Sequence, residues 1–240
     1  MTETVTVSTG HTFELPVTLS ATIAGAVFPA DRADVAALLP TGLDPVGTRA
    51  DRAAMTVRAV RYDRVGDETI PPYDEVGVLF PAVEAGTQII PYLSVLRRPV
   101  SGYVHTLPVT TEPARAFGVE IWGYPKLVAD IDVTDEGRAR SATVTTEERR
   151  LLSVSIRRPR TVPARLSGYN FTVRDDELLR EPTALRGRVG AWFGNKGGSV
   201  SFGEHPIGQE LNGVTVGESP LLRLTADCEF TIGAGVPLES

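Results

Sequence analysis

One lysine of this chain lies in a setting that could give its amine unusual reactivity. Lys126 is one of only two lysines among 24 Lys and Arg residues, the other being Lys196. It belongs to the segment Glu-Ile-Trp-Gly-Tyr-Pro-Lys-Leu-Val at positions 120–128, which surrounds a primary amine with aromatic and aliphatic side chains. Unlike arginine, a lysine removed from water can lose its proton and form an imine with a carbonyl compound. The segment therefore suggests a nucleophilic amine.

Strand alternation offers a simpler explanation of the same residue. A strand that follows Pro125 would turn Lys126 to one face and a wholly apolar set to the other: Leu127, Ala129, Ile131 and Val133. The apolar set should face a core, which leaves Lys126 at the mouth end of the strand and facing away from that core. There it could meet a ligand at a barrel rim, or it could be a surface lysine paired with Asp130 or Glu120. Alternation alone favours the surface lysine.

Most of the chain has the pattern of strands, and helices are few. The 23 Gly and 18 Pro interrupt the sequence at short intervals, as many-stranded sheets and barrels require. Helices are predicted over Asp31–Pro40, with Asp31 as the N-cap, and over Thr111–Phe117. We expect residues 1–240 to form a single antiparallel β domain with one or two short helices. Segments rich in β-branched residues predict strands over Thr2–Val7, Glu14–Ile23, Ala53–Tyr62, Gly77–Val83, Thr87–Leu96, Leu127–Val133, Ala139–Thr146, Leu151–Arg157, Tyr169–Val173, Gly187–Phe193, Val200–Phe202 and Leu221–Ile232.

Composition and charge argue against several classes of binding partner and of functional site. A net charge of −6 argues against nucleic acid or an anionic membrane surface as the main partner. The one cysteine, Cys228, allows no intrachain disulfide and fits a reducing compartment, where it would be core filling. The N-terminus lacks the pattern of a signal peptide and no apolar run is long enough for a membrane helix, so a cytoplasmic location is expected. Three widely separated histidines, His11, His105 and His205, predict no metal site.

Several segments resemble the acetoacetate decarboxylase family. In that family a Tyr-Pro-Lys or Phe-Pro-Lys triplet, six residues after a Glu, carries the lysine that forms a Schiff base. Glu120 and Tyr124-Pro125-Lys126 match this pattern. Weaker resemblances lie in Tyr73-Asp74-Glu75, in Leu38–Leu43, and in Ala191–Gly194 followed by Pro206–Val216, so that the resemblance spans most of the chain.

The resemblance implies a fold and an activity. The expected fold is mainly β (α+β), an antiparallel cone-like β-barrel with additional surrounding sheet and one or two short helices. The expected activity is that of a Schiff-base-forming lyase without cofactor, a decarboxylase of acetoacetate or a related β-keto acid. Aldol or dehydration chemistry on 2-oxo acids with the same lysine is a second possibility. A non-catalytic barrel that binds a small apolar ligand is a third. Family members assemble as multimers, so a homo-oligomer is expected.

The resemblance also suggests residue roles. Lys126 would be the nucleophile and Glu75 would transfer a proton or orient the substrate, although Glu75 also fits an ordinary turn after Pro71-Pro72. Glu120, Trp122 and Tyr124 are candidates for the substrate pocket. Glu120 could instead accept structural hydrogen bonds, and the two aromatic residues could be plain core residues. In either role Trp122 and Tyr124 would help to exclude water from the Lys126 amine.

The chain departs from the family at charged positions. A second lysine usually follows the first, and this chain has Leu127 there. A free lysine with a pKa of about 10.4 is almost wholly protonated at pH 7, and deep burial can shift such a group by about 3 to 5 units. We therefore expect the surrounding side chains to exclude water from Lys126 and so to supply the neutral amine. Acetoacetate decarboxylase is a known example of an enzyme with an activated lysine.

Other departures concern the groups that would hold a carboxylate. Gly118-Val119-Glu120 replaces a common Gly-Arg-Glu, Ala21 stands near the expected early arginine, and Val57 or Arg58 stands near a second pocket glutamate. Three arginines could substitute for the missing cation, although each also fits a solvated strand face: Arg58, Arg61 and Arg97.

Overall fold

A computed structural model describes residues 3–47, 51–66, 70–87 and 100–238. All of the predicted strand Thr87–Leu96 except Thr87, and also Arg97, lie outside these ranges. The described residues form three helices, α1 (Arg32–Leu38), α2 (Glu112–Trp122) and α3 (Pro206–Asn212). Their strands are β1 (Glu3–Thr6), β2 (Thr12–Leu15), β3 (Val17–Asp31), β4 (Leu43–Pro45), β5 (Arg52–Val65), β6 (Tyr73–Glu84), β7 (Val100–Val109), β8 (Lys126–Val128), β9 (Asp130–Glu136), β10 (Ala139–Thr146), β11 (Arg149–Arg157), β12 (Val162–Arg174), β13 (Glu177–Phe193), β14 (Gly198–Phe202), β15 (Leu222–Ile232) and β16 (Val236–Pro237).

Seven long strands close into a barrel. Their order is β6-β5-β3-β15-β13-β12-β7, and β7 pairs back with β6 to complete the ring. The pairs are antiparallel except β12 with β7, which run parallel over Gly168–Phe171. Strand β8 adds to the other side of β7, also in parallel. The mainly β class and the predicted barrel are thus confirmed.

A second sheet covers part of the barrel and creates a second core. It has the order β14-β11-β10-β9. One apolar cluster fills the barrel interior, and the other lies between the barrel wall and this outer sheet. Strand β5 contributes to both clusters. Its Val60 and Tyr62 face the interior, whereas Val57 and Ala59 belong to the outer core. Barrel strands buried on two sides show long apolar runs rather than strict alternation.

The helices are short, and their ends follow from capping. Asp31 caps α1 by accepting from the backbone N–H groups of Ala33 and Asp34, as predicted. Thr111 caps α2, which continues past the predicted end at Phe117 to Trp122. Helix α3 was not predicted, so the expected count of one or two helices was too low for the described residues. No helix among the described residues is long and apolar enough to cross a membrane.

Candidate active site

A sharp turn at Gly123 delivers Lys126 into the barrel. Gly123 ends α2 in the left-handed region with φ 69°, and a Cβ there would lie 2.6 Å from the Val173 carbonyl oxygen. Only glycine combines this backbone conformation with such a close approach. Tyr124 and Pro125 then lead into β8, where Lys126 pairs with Leu107 of β7. The sequence Gly-Tyr-Pro-Lys therefore ends helix α2 and directs the side chains of Tyr124 and Lys126 into the barrel.

The lysine is buried in the barrel interior. Its side chain is 3% exposed and lines an interior cavity, so the lysine does not lie at a barrel rim, and the alternative of a surface pair with Asp130 or Glu120 was wrong. The predicted alternation itself holds, because Leu127 packs against the outer core on the opposite face. The lysine stem runs against α2 at Gly118, where a Cβ would lie 2.4 Å from Lys126 Cε. The missing side chain at Gly118 makes the space that the lysine occupies.

Glu75 is the partner of this amine. Lys126 Nζ lies 3.0 Å from Glu75 Oε2, and the Glu75 side chain is 2% exposed. Glu75 is a residue of strand β6 and not the turn residue that the alternative allowed. The Tyr62 hydroxyl donates to the other carboxylate oxygen, Oε1, over 3.4 Å. The structure thus brings the two predicted catalytic residues into direct contact inside the barrel.

Aromatic rings and a very small cavity surround the pair. Nζ lies 5.3 Å from the centre of the Tyr73 ring and 6.0 Å from that of Phe117, within the range of cation–π attraction. Burial, followed by the Glu75 charge, raises the pKa of both Tyr62 and Tyr73 above the usual range, so both hydroxyls stay protonated. The cavity has a volume of about 10 Å³, about the smallest that holds one water molecule. Its lining is Leu19, Arg58, Tyr62, Tyr73, Glu75, Leu107, Phe117, Tyr124, Lys126, Asn170, Phe230 and Ile232.

Arg58 is also an interior residue, which corrects the expectation of a solvated strand face. Its side chain is 16% exposed, and Nη2 lies 3.6 Å from Glu75 Oε1, which is beyond hydrogen-bond distance. Its Nε is buried and has no hydrogen-bond partner. Gly77, its neighbour on β6, leaves it room, since a Cβ there would lie 3.0 Å from Nε. Arg61 does lie on the surface, paired with Asp74 and Asp63.

The two predicted pocket aromatics take different places. Tyr124 lines the cavity, and its hydroxyl accepts a hydrogen bond of 2.8 Å from Asn170 Nδ2. Trp122 lies behind the cavity, fully buried against Phe117 and Tyr124, and its Nε1 donates to the Gly233 carbonyl over 2.8 Å. Trp122 therefore supports the wall without lining it.

Glu120 lies outside the cavity, contrary to the prediction. It is exposed on α2, and it accepts hydrogen bonds from the backbone N–H and the hydroxyl of Ser8. The physical reason is the length of the helix. Because α2 continues to Trp122, its buried side carries Phe117, Gly118 and Ile121, and Glu120 falls on the solvent side. Its role is the structural one that the sequence left open.

A second buried acid, Glu181 on β13, was missed by sequence reasoning. It is fully buried, and burial raises its pKa to about 8 although Thr172, Tyr124 and Arg174 act to lower it. Thr172 Oγ1 lies within hydrogen-bond distance of both Glu181 Oε1 and the Trp122 carbonyl. One hydroxyl hydrogen serves only one acceptor, so a protonated Glu181 that donates to Thr172 satisfies both contacts. The Tyr124 hydroxyl approaches Glu181 without completing a hydrogen bond to Oε2, which has no partner.

No local sequence pattern indicates that the other residues line the cavity. Tyr62, Phe117 and Asn170 lie in segments whose patterns predict only strand or helix, and their convergence depends on barrel closure. Across residues 3–47, 51–66, 70–87 and 100–238, no group of three His, Cys, Asp or Glu side chains is placed to hold a metal ion.

Comparison with solved structures shows the same fold at low identity. The enduracididine biosynthesis enzyme MppR complexed with pyruvate matches with a TM-score of 0.68 and 14% identity, covering 93% of this chain and 90% of that chain. Acetoacetate decarboxylase from Legionella pneumophila matches with 0.66 and 14%, covering 93% and 87%. An acetoacetate decarboxylase-like enzyme from Sphingomonas wittichii RW1 matches with 0.60 and 15%, covering 93% of each chain.

Sequence comparison supplies the family. No curated protein matches the chain. The model of the acetoacetate decarboxylase family matches residues 4–239, nearly the whole chain, including the turn and strand that carry Lys126. This protein therefore belongs to the acetoacetate decarboxylase family.

Proposed function

We propose that this protein is a Schiff-base-forming lyase that acts on a small keto acid through Lys126. The observation that carries the proposal is the buried contact of 3.0 Å between Lys126 Nζ and Glu75 Oε2, in a cavity with aromatic walls. A reactive imine needs an amine, a proton carrier beside it, and protection from bulk water. All three come together at this point of the barrel.

The charges around the cavity support a nucleophilic amine. Among the described lining residues the formal charges are two cations, Arg58 and Lys126, and one carboxylate, Glu75. An isolated net charge is costly to bury, and a second cation nearby disfavours an ammonium. Arginine does not give up its proton, whereas lysine does. With the neutral Nζ that attack on a carbonyl requires, the formal charges of Arg58 and Glu75 sum to zero in the described lining.

Glu75 is proposed to move the protons of the reaction. Its Oε2 lies 3.0 Å from Nζ, within reach of a hydrogen on that nitrogen. Imine formation joins Nζ to the carbonyl carbon and releases water, which requires protonation of the departing oxygen. A general acid or base at this distance contributes typically 10²- to 10⁴-fold to such a step.

Decarboxylation of acetoacetate or a related β-keto acid is the reaction that family membership favours. The protonated imine accepts the electron pair left when the carbon–carbon bond to the carboxylate breaks, and carbon dioxide leaves. Aldol or dehydration chemistry on a 2-oxo acid is the second candidate. It uses the same imine, and the pyruvate bound to MppR, of the same fold, supports it. The small cavity favours a small substrate in either reaction, and its lining side chains must move apart to admit it.

Borohydride trapping tests the proposal. The protein is incubated with acetoacetate, with pyruvate and with a longer β-keto acid, reduced, and weighed as an intact chain. We expect a mass increase of one reduced adduct with at least one of them, and loss of that adduct in Lys126→Arg. Lys196→Arg is the matched control, because Lys196 is the only other lysine and is exposed. An adduct that survives Lys126→Arg, or none with any keto acid, contradicts the proposal, and the second result favours a binding protein.

A further inference from the structure

Alternate side chains of strand β12 hold the end of the helix that leads to Lys126. Thr172 Oγ1 lies 2.7 Å from the Trp122 carbonyl oxygen, and Arg174 Nη1 donates to the Ile121 carbonyl. Both carbonyls belong to the last turn of α2, where a helix leaves carbonyl groups without partners of its own. Strand β12 therefore supplies the donors that fix the end of α2, just before the segment that carries the amine.

The Thr172 hydroxyl lies between two acceptors. It is fully buried and lies within hydrogen-bond distance of both the Trp122 carbonyl and Glu181 Oε1, but it has only one hydrogen to donate. While Glu181 keeps its proton, the acid donates to Thr172 and the threonine hydrogen is left for the Trp122 carbonyl. An ionised Glu181 is an acceptor only, and a charged acceptor attracts a hydroxyl hydrogen more strongly than a neutral one. Ionisation would therefore take the donor away from the Trp122 carbonyl.

The surroundings of Glu181 favour its protonated form at neutral pH. Burial raises its pKa to about 8, although Tyr124 of the turn and Arg174 of β12 act to lower it. Residues 233–237, which pack against its stem at Gly235, carry no titratable side chain. The C-terminal end of a helix such as α2 also disfavours a negative charge nearby, because its peptide dipoles are aligned.

We propose that Thr172 is a positioning residue for Lys126 and that Glu181 controls it, so that the turn holds the amine in its reactive place while Glu181 is protonated. This rests on the proposed function, since it requires an imine at Lys126. The turn follows directly on the Trp122 carbonyl and contains Gly123, whose backbone is free to adopt other conformations. Once the carbonyl has lost its donor, the turn can relax, and a small displacement of a nucleophile slows its reaction.

The proposal gives imine formation an unusual dependence on pH. A lysine amine by itself reacts faster as pH rises, because more of it is neutral. Ionisation of Glu181 acts in the opposite direction above a pH of about 8. Glu181→Gln separates the two effects, because glutamine keeps a donor for Thr172 and cannot ionise.

The rate of adduct formation tests the role of Glu181. Wild type and Glu181→Gln are incubated with acetoacetate, with pyruvate and with a longer β-keto acid, and timed samples are reduced with borohydride and weighed. We expect the ratio of the wild-type rate to the Glu181→Gln rate to fall about tenfold as pH passes from about 6.5 to about 9.5. Titration of the amine is common to both proteins and cancels in this ratio. Glu177→Gln, exposed on the same strand, is the control, and its ratio to wild type should not change with pH.

Variants at Thr172 test the positioning role itself. Thr172→Val removes the hydroxyl at nearly constant volume, and at pH values near 6.5 it should form the adduct about tenfold more slowly than wild type. Thr172→Ser keeps a hydroxyl and should restore most of the rate, which a requirement for side-chain bulk alone would not do. Ser167→Ala, at an exposed position of the same strand, is the control.

The remaining outcomes separate this inference from the proposed function. If Thr172→Val forms the Lys126 adduct at the wild-type rate, or if the ratio for Glu181→Gln is the same at all pH values, the positioning role is wrong while the imine stands. Absence of any Lys126 adduct in the wild type overturns the proposed function itself. Should Thr172→Val fail to fold, the ratio for Glu181→Gln decides, because both of those proteins keep the threonine.

Discussion

Two buried carboxyl groups on different strands of the barrel have opposite surroundings. Glu75 touches Lys126 and lies near Arg58, so its negative charge is compensated by direct partners. Glu181 has hydroxyl neighbours and one unpartnered oxygen, and burial is the dominant influence on it. One acid therefore lies among cations, and burial keeps the other neutral beneath the segment that carries Lys126.

The neutral Glu181 gives stability a distinct pH dependence. Its pKa is about 8 in the folded protein against an ordinary value of 4.5. Between these values the unfolded chain releases this proton and the folded chain keeps it, so stability falls as pH rises from about 4.5 to 8 and then levels off. Relative to Glu181→Gln, the free energy of unfolding of the wild type should drop by about 3 to 4 kcal/mol between pH 5 and pH 8.

Urea denaturation of both proteins at the two pH values measures this difference. Glu177→Gln is the control, because Glu177 is exposed on the same strand, and it should follow the wild type. A wild-type and Glu181→Gln pair whose difference does not change with pH would show that Glu181 is ionised in the folded state.

At the scale of elements, the helix–turn–strand unit of α2, Gly123 and β8 positions the amine. Helix α2 ends at Trp122, the glycine reverses the chain, and Pro125 precedes the short strand. The lysine stem then lies against the helix at Gly118, so the helix forms one wall of its channel. Small residues at such contacts let a side chain pass close to a backbone.

Gly118→Ala should displace the amine without unfolding the protein. The new Cβ would lie 2.4 Å from Lys126 Cε and 3.1 Å from Nζ, and the far end of a flexible lysine can move. Alanine also favours the helix by up to about 1 kcal/mol. We expect imine trapping to fall more than about tenfold, since small misplacements of a reacting group are costly, while the melting temperature stays near that of the wild type.

The neighbouring substitution Val119→Ala is the control for Gly118→Ala, because it changes the same helix away from the lysine stem. Trapping by Gly118→Ala at the wild-type rate would show that contact with α2 does not position Nζ.

Local sequence signals predicted some features of the helices and strands and missed others. Capping at Asp31, a helix that begins near Thr111 and the apolar face of Leu127 followed from the sequence, because such signals are local. The interior position of Arg58 did not, since β5 is buried on both sides and its pattern does not show which face is which. Helix α3 has seven residues including Gly208, too few for a helical period to stand out. Glu181 could not be found, as its burial depends on pairing with β12.

At the scale of the whole molecule, closure of the barrel brings Lys126, Glu75 and Arg58 together. They come from β8, β6 and β5, and β7 lies between β6 and β8. The mainly β class was predictable from composition and turns, whereas the barrel itself came from the family resemblance. The strand order depends on long-range pairing that no local pattern encodes, including the parallel pairing of β7 with both β8 and β12.

Self-association in solution stays a prediction. Trp192 and Phe193 at the end of β13 are 61% and 62% exposed, and adjacent exposed aromatics of this kind often mark contacts between proteins. Light scattering should find more than one chain per particle, and a Trp192→Ser, Phe193→Ser double variant should shift the mass toward one chain. A monomeric wild-type protein would contradict the expectation.

The proposed lyase activity depends on a reactive amine at Lys126, and locating the adduct shows which amine reacts. After separate incubations with acetoacetate, with pyruvate and with a longer β-keto acid, each followed by reduction with borohydride, the protein is digested and the modified residue is identified by peptide mass spectrometry. We expect modification at Lys126 and not at Lys196 or the N-terminal amine. Modification at those amines instead of Lys126, or a Lys126 that stays unmodified with all three compounds while the protein is folded, would contradict the proposed activity.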